Sequence, residues 1–417
     1  MNWPAIRSLS LHQIGAFLAL MLVVLAPLFT PRLPSVLLGL LGGWLIWNQR
    51  NRLHTSLAVR RLAWVFALML IPILLSVPTS FDWRHSMMVA TAISLYFLVG
   101  LALVHVLHGD AQRLWLAKWL TIVLLVWMVD GLIQYVFGRD LLGYPLTVDG
   151  RLTGVFRGNM SLSTILAILM PVAFWYFMRK RPQVVPAIFV GAGIVAVLVG
   201  TRNALAMMAV VAVGTSLRLP RRYRLVIAVA VLVVAGAISL SPVMQERLQR
   251  AAELRIMTFQ EYDHILSRRL TIWEAAGKMI VDRPLTGVGA GMFTKVYDNY
   301  STRPDDIFHS GGIFGSPFHA HNVYVSIAAE TGILGLLGIV TAFVLCVKWY
   351  FAAPPTRRDQ AWPYAFGLLI VMFPFSIEFG MYTLWLFPLQ LLLLSATLAA
   401  LGDNTAGAQT PASMSQR

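Results

Sequence analysis

One cysteine in 417 residues, Cys346, rules out an intrachain disulfide and any cysteine-built metal site, and its place inside an apolar run marks it as a small core residue. Charged side chains are scarce too, at 12% of the chain against 58% apolar residues, which excludes an ordinary soluble domain and describes a polytopic membrane protein. Acid is the rarer sign, with 18 Asp and Glu against 33 Lys and Arg and a net charge of +15. In a soluble chain that excess would suggest nucleic acid. Here the arginines are parcelled out between hydrophobic runs, a positive-inside pattern, so no nucleic-acid partner is expected. No small-x-small cleavage site follows the first apolar run, so it reads as an anchor rather than a signal peptide. No internal repeat is visible, and a transporter or flippase would be expected to carry one.

What is present is a succession of apolar runs. Twelve transmembrane helices are expected, at 11–29, 33–47, 62–77, 86–107, 114–137, 161–178, 184–200, 203–217, 224–241, 323–350, 362–379 and 383–401. The predicted class is therefore an all-α polytopic membrane protein. Its organisation is nine spans over 1–241, an extramembrane catalytic loop over 242–321, three spans over 322–401 and a small, polar, disordered tail over 402–417. With both termini cytoplasmic, eighteen of the 33 basic residues fall in inside segments, six in short outside loops and nine in the long loop. Long translocated loops are largely exempt from the positive-inside rule, so the first two figures set the orientation and put the long loop outside.

That loop reads as helical. Residues 243–257 repeat apolar side chains at helical spacing among charges, an amphipathic helix suited to a membrane surface. A second helix is expected over 268–282 and stopped by Pro284. The run Gly287 to Gly291 lacks the Lys-Ser/Thr of a nucleotide loop and reads as a flexible turn under that helix. The polar stretch 299–315 has the composition of a mobile lid.

The chemistry concentrates at the outer face. His321, followed by Asn322 at the mouth of an apolar helix, is a candidate general base, because imidazole titrates near neutrality and can take a proton from a sugar hydroxyl. His319 stands beside it. Arg202 after Thr201, and Arg268 and Arg269 after Ser267, stand at helix starts behind good N-cap residues, where a cation is mildly unfavourable on its own. The arrangement makes sense if the helix dipole, the free amides and the guanidinium share one bound anion, with phosphate the obvious candidate. The plainer alternative is arginines that snorkel to lipid headgroups, the reading preferred for Arg32, Arg84 and Arg139. His309, His319, His321, Asp305 and Asp306 are close in sequence but match no zinc spacing, so no metal is expected. Asp130, Glu330 and Glu378, scattered among twelve spans, make a thin proton path and read as ties between helices.

With these residues assembled, the chain resembles the bacterial O-antigen ligase and polymerase superfamily, and more closely the O-antigen ligases. The ligase pattern of His, Asn/Ser/Gln, nine residues and Gly-x-x-Gly/Thr/Tyr is met by His321-Asn322, nine residues and Gly332-Ile333-Leu334-Gly335. Upstream, Arg269 to Trp273 resembles the family's Arg-x-x-x-Trp, and Pro284-Leu285-Thr286-Gly287-Val288-Gly289 its Pro-Leu-x-Gly-x-Gly. The resemblance implies an inverting, metal-independent glycosyltransferase, similar to the C-type membrane enzymes, that needs no cofactor. It would transfer O-antigen from undecaprenyl pyrophosphate to the lipid A core on the periplasmic face of the inner membrane. His321 would be the base. Arg202 and Arg269, with Arg268 beside the latter, would hold the pyrophosphate, and Arg151 and Arg157 would add contacts. Glu378 would stand for the family's acidic residue near the last outer turn. A polymerase or a protein O-oligosaccharyltransferase would use the same donor and differ in its acceptor.

Overall fold

The computed structural model of the chain describes residues 10–28, 32–157, 159, 161–239, 258–266, 268–309, 317, 319–373 and 386–402. Nine helices come first: α1 Leu11–Val24, α2 Arg32–Thr55, α3 Leu57–Ser76, α4 Trp83–Val106, α5 Asp110–Phe137, α6 Leu162–Lys180, α7 Val185–Val199, α8 Arg202–Ser216 and α9 Arg221–Ser239. Three shorter ones follow, α10 Phe259–Ile265, α11 Arg269–Asp282 and α12 Phe293–Tyr300, and then α13 Val323–Ala352, α14 Pro355–Val371 and α15 Phe387–Leu401. Among the described residues there is no strand, only an isolated bridge between Arg139 and Pro145.

Each of the twelve expected apolar stretches contains a helix, and the protein is all-α and polytopic. Among the described residues, 6 helical segments are long and apolar enough to cross a membrane unaided: Leu57–Ser76, Trp83–Val106, Asp110–Phe137, Leu162–Lys180, Pro182–Val199 and Val323–Ala352. Others of the expected set are shorter, such as α1, α8 and α15. The expected surface helix at 243–257 and the tail beyond Gly402 lie outside the described residues.

α6 is the axis of the bundle. Its sequence is apolar on every side, and 78% of its most apolar window is buried, against 50% or less for the other candidate spans. It packs against α5, α7, α8 and α14. At one end of the bundle Arg179, in the last turn of α6, and Arg218, which follows α8, both pair with Asp359 of α14, the second at 2.8 Å. The His321 loop lies at the opposite end.

α13 is not continuous. Gly332 takes φ 65 and ψ −164, a conformation essentially restricted to glycine, and breaks the helix one-third of the way along. The break removes the bonds that Ile333 and Leu334 would have given to Ala329 and Glu330. A membrane offers no water to replace them, so each orphaned group would cost several kcal/mol. The segment 284–289 replaces both. Pro284 O accepts from Ile333 N at 2.9 Å and Leu285 O from Leu334 N at 3.4 Å. Val288 N and Gly289 N each donate at 2.9 Å, to Ala329 O and Glu330 O. The backbones come so close that a Cβ on Gly332 would stand 2.3 Å from the carbonyl of Leu285, and one on Gly287 2.4 Å from Glu330 C. The glycine run is thus no flexible turn under the second helix. It is zipped to the broken helix, and the two glycine motifs are halves of one joint.

The small helices form their own apolar core, with Ile272, Met279, Phe293 and Tyr297 packed against Ala320 and Ala329. The described part of the expected lid is pinned as well. Asp306 accepts from Tyr297 Oη at 2.9 Å and from Ser301 Oγ at 2.5 Å, and Arg303 pairs with Glu274 at 2.6 Å. Residues 310–316 lie outside the described residues.

Candidate active site

α11 organises the site. Arg269 and Trp273 are one turn apart and so share a face. The Trp273 indole Nε1–H donates to Ala320 O at 2.8 Å, which fixes the Ala320–His321 peptide. The Arg269 guanidinium donates to Asn203 Oδ1 at 3.3 Å, at the start of α8. Arg202 is the first residue of α8. Arg151 lies by the same turn, its Cδ and Nε 3.9 Å from where a Cβ on Gly200 would stand. One helix therefore connects the histidine loop with the arginine-bearing start of α8.

His321 precedes α13 rather than joining it. Asn322 is the N-cap, its side-chain oxygen accepting from Tyr324 N at 3.0 Å and Val325 N at 3.2 Å. The histidine is left-handed, at φ 51, and so stands outside the helix. Its amide donates to His319 Nδ1 at 3.0 Å, and the two rings meet edge to face at 4.6 Å. Burial, and secondarily His321, push His319 down to about 3, so its imidazole stays neutral and its Nδ1 can accept. Glu330 is turned to the N-terminus of α12, where its carboxylate accepts from Phe293 N at 3.0 Å, so it ties two helices together as expected.

Arg268 departs from expectation. Ser267 lies outside the described residues, and α11 begins at Arg269. Asp263 of α10, 1% exposed, caps it, accepting from Thr271 N at 3.1 Å and Thr271 Oγ1 at 2.5 Å. That N-terminus already holds an anion, the protein's own. Arg268, left-handed at φ 61, stands before the helix with a guanidinium nitrogen 3.9 Å from Asp263. Thr201 also departs: it makes no cap bond to α8, and its hydroxyl pairs with Ser163 at 2.8 Å. Arg157, left-handed at φ 52, sets its guanidinium 5.1 Å from the Tyr144 ring. Glu378 lies outside the described residues.

Among the described residues, the non-glycine residues with positive φ are Arg157, Arg268 and His321. Each is a residue that sequence reasoning had singled out, and strain of this kind gathers at functional sites. Sequence reasoning missed Asp263 and Asn203, whose roles arise from contacts between helices and leave no mark in local pattern. Among the described residues no group of three His, Cys, Asp or Glu could hold a metal ion.

The fold and site define a polytopic all-α membrane protein with a small helical domain built around a histidine at one end of the bundle. Residues 187–340 match the family model described as O-antigen ligase, a likeness consistent with the O-antigen ligase/polymerase superfamily. Members are glycosyltransferase-like enzymes acting on lipid-linked sugars, and the family supports ligase- or polymerase-type activity here. The matched stretch runs from α7 into α13 and so contains Arg202, Arg269, Trp273, His321 and the Gly287–Gly332 joint. A comparison with curated proteins finds no match.

Proposed function

We propose that the protein is an O-antigen ligase, transferring O-antigen from undecaprenyl pyrophosphate to a hydroxyl of the lipid A core, with inversion at the anomeric carbon. The observation that carries this reading is the double tether of α11, through Arg269 to Asn203 and through Trp273 to Ala320. It ties the residue before His321 and the start of α8, which Arg202 opens, to a single helix. In the reaction His321 removes the proton of the acceptor hydroxyl as its oxygen attacks the anomeric carbon. The bond to pyrophosphate breaks, and undecaprenyl pyrophosphate leaves with the charge. Arg202 and Arg269, with Arg151 alongside, hold that charge as it develops. Arg268 and Arg157, engaged with Asp263 and Tyr144, act chiefly by shaping the loops. The site faces the periplasm of the inner membrane, with both termini cytoplasmic, and the chemistry uses neither nucleotide nor metal.

The test uses purified protein with undecaprenyl-pyrophosphate O-antigen and rough lipopolysaccharide, in the presence of chelator, with products resolved by gel. A ladder on lipid A core is expected and should vanish with His321→Ala at equal protein level. Longer lipid-linked chains with untouched core would move the site to polymerisation, and loss of transfer on chelation would overturn the metal-free mechanism.

A further inference from the structure

The residue before His321 has no secondary structure to hold it. Ala320 is fully buried, and both of its backbone polar groups are bound by side chains from different helices. Its N–H donates to Ser326 Oγ of α13 at 3.0 Å, and its carbonyl accepts from Trp273 Nε1 of α11 at 2.8 Å. Ser326 is itself 2% exposed. On the next residue the His321 amide goes to His319 Nδ1, and His321 is held at φ 51. An L-residue leaves the left-handed region readily unless its neighbours over-determine it. The two side chains that do so come from two helices, one from the helix the loop enters and one from the helix that carries Arg269.

We propose that Trp273 and Ser326 are positioning residues for His321. They clamp the Ala320 peptide, keep the histidine left-handed and so set the direction of its imidazole; the proposal rests on the reading of His321 as the base. The clamp also fixes the distance between base and phosphate-binding cations, because Trp273 and Arg269 are rigidly related on one helix turn. A displacement of the order of 1 Å between reacting groups costs about 100-fold in rate, so a small slip of this peptide should be costly while substrate binding is little changed.

Two substitutions and two readouts test it. Trp273→Phe removes the indole N–H and keeps an aromatic ring, and Ser326→Ala removes one oxygen. In each, kcat for transfer should fall about 10- to 100-fold with KM for the donor within about twofold. Independently of activity, carbethoxylation of His321 by diethyl pyrocarbonate, read by mass spectrometry against the exposed His54, should rise severalfold. Unchanged labelling of His321, or kcat within about twofold of wild type in both variants, would overturn the proposal. A loss carried by KM with labelling unchanged would also overturn it, as a substrate-binding effect. Ser326→Ala leaves too small a void to unfold the domain and decides the matter if Trp273→Phe does not fold. If His321→Ala transfers normally, the base assignment fails, and labelling still decides whether the clamp exists.

Discussion

At the start of α11 the amide of Thr271 meets the buried carboxylate of Asp263; at the start of α8 the Thr201 hydroxyl turns away to Ser163, and Asn203 meets the guanidinium of Arg269. In sequence the two starts look alike, a hydroxyl residue followed by arginine. In space one N-terminus is closed by an internal anion. At the other Thr201 makes no side-chain cap bond, and a cation from a neighbouring helix is brought to it. A positive helix end and a guanidinium side by side repel unless a negative group lies between them. On the proposed reading that group is the donor's pyrophosphate, and α8, not α11, is where it sits. The comparison also separates two adjacent arginines: Arg268 is directed to Asp263 and Arg269 to α8.

The largest effect expected from this contrast is catalytic. Arg269→Ala should lower the initial rate of transfer about 100- to 1000-fold, whereas Arg268→Ala should cost less than about tenfold. The reverse order would exchange the roles of the two helix starts. In stability, Asp263→Ala should cost about 2–3 kcal/mol, because it uncaps α11 and leaves the Thr271 hydroxyl and amide without their acceptor. Thermal unfolding in detergent measures this, and Asp263→Asn, which keeps an acceptor, should lose markedly less.

The same contrast of closed and open applies to the paired imidazoles. His319, held near 3 in the fold against 6.5 for a free histidine, stays neutral while an unfolded chain takes up a proton. A depressed folded value means that stability is complete above about 6.5 and falls as the pH drops toward 3. Relative to neutral pH, the loss at pH 5 should be about 2 kcal/mol. His319→Gln, with no titrating group, should flatten that dependence in melts between pH 7.5 and 5, and an unchanged slope would place the titration elsewhere. The smallest effect belongs to Thr201→Ala, about 1 kcal/mol or less, since its hydroxyl contributes one bond to Ser163 and no cap. A loss as large as that for Asp263→Ala would show the two starts to be equivalent after all.

Much of the fold was legible because membrane spans declare themselves by length and hydropathy alone, and each expected span contains a helix. The ends were less legible. Helix α2 reaches Thr55, past the apolar run that announced it, but with a break at Gln49, φ −126 and ψ 23, close to where that run ends. At the site, His321, Arg269 and Trp273 were visible as a spaced pattern, and Asn322 as a cap. Asp263 and Ser326 were not, since nothing near them in sequence marks them as partners of Thr271 and Ala320. The glycines of 287–291 were visible but misread: alone they describe a turn, and only beside the break at Gly332 do they become half of a backbone joint.

The sequence by itself determined the solvent of this protein, the residue types of its chemistry and the positions of its helices, because hydropathy, periodicity and capping act over a few residues and are written locally. The tertiary structure decided which arginine faces an anion of the protein's own and which is brought to α8. It also decided that His321 is left-handed and that the broken α13 is repaired by residues some 45 positions earlier in the chain. Those outcomes depend on groups far apart in sequence satisfying one another where water is excluded, and a buried hydrogen-bonding group takes its partner from whichever part of the chain the packing brings within reach.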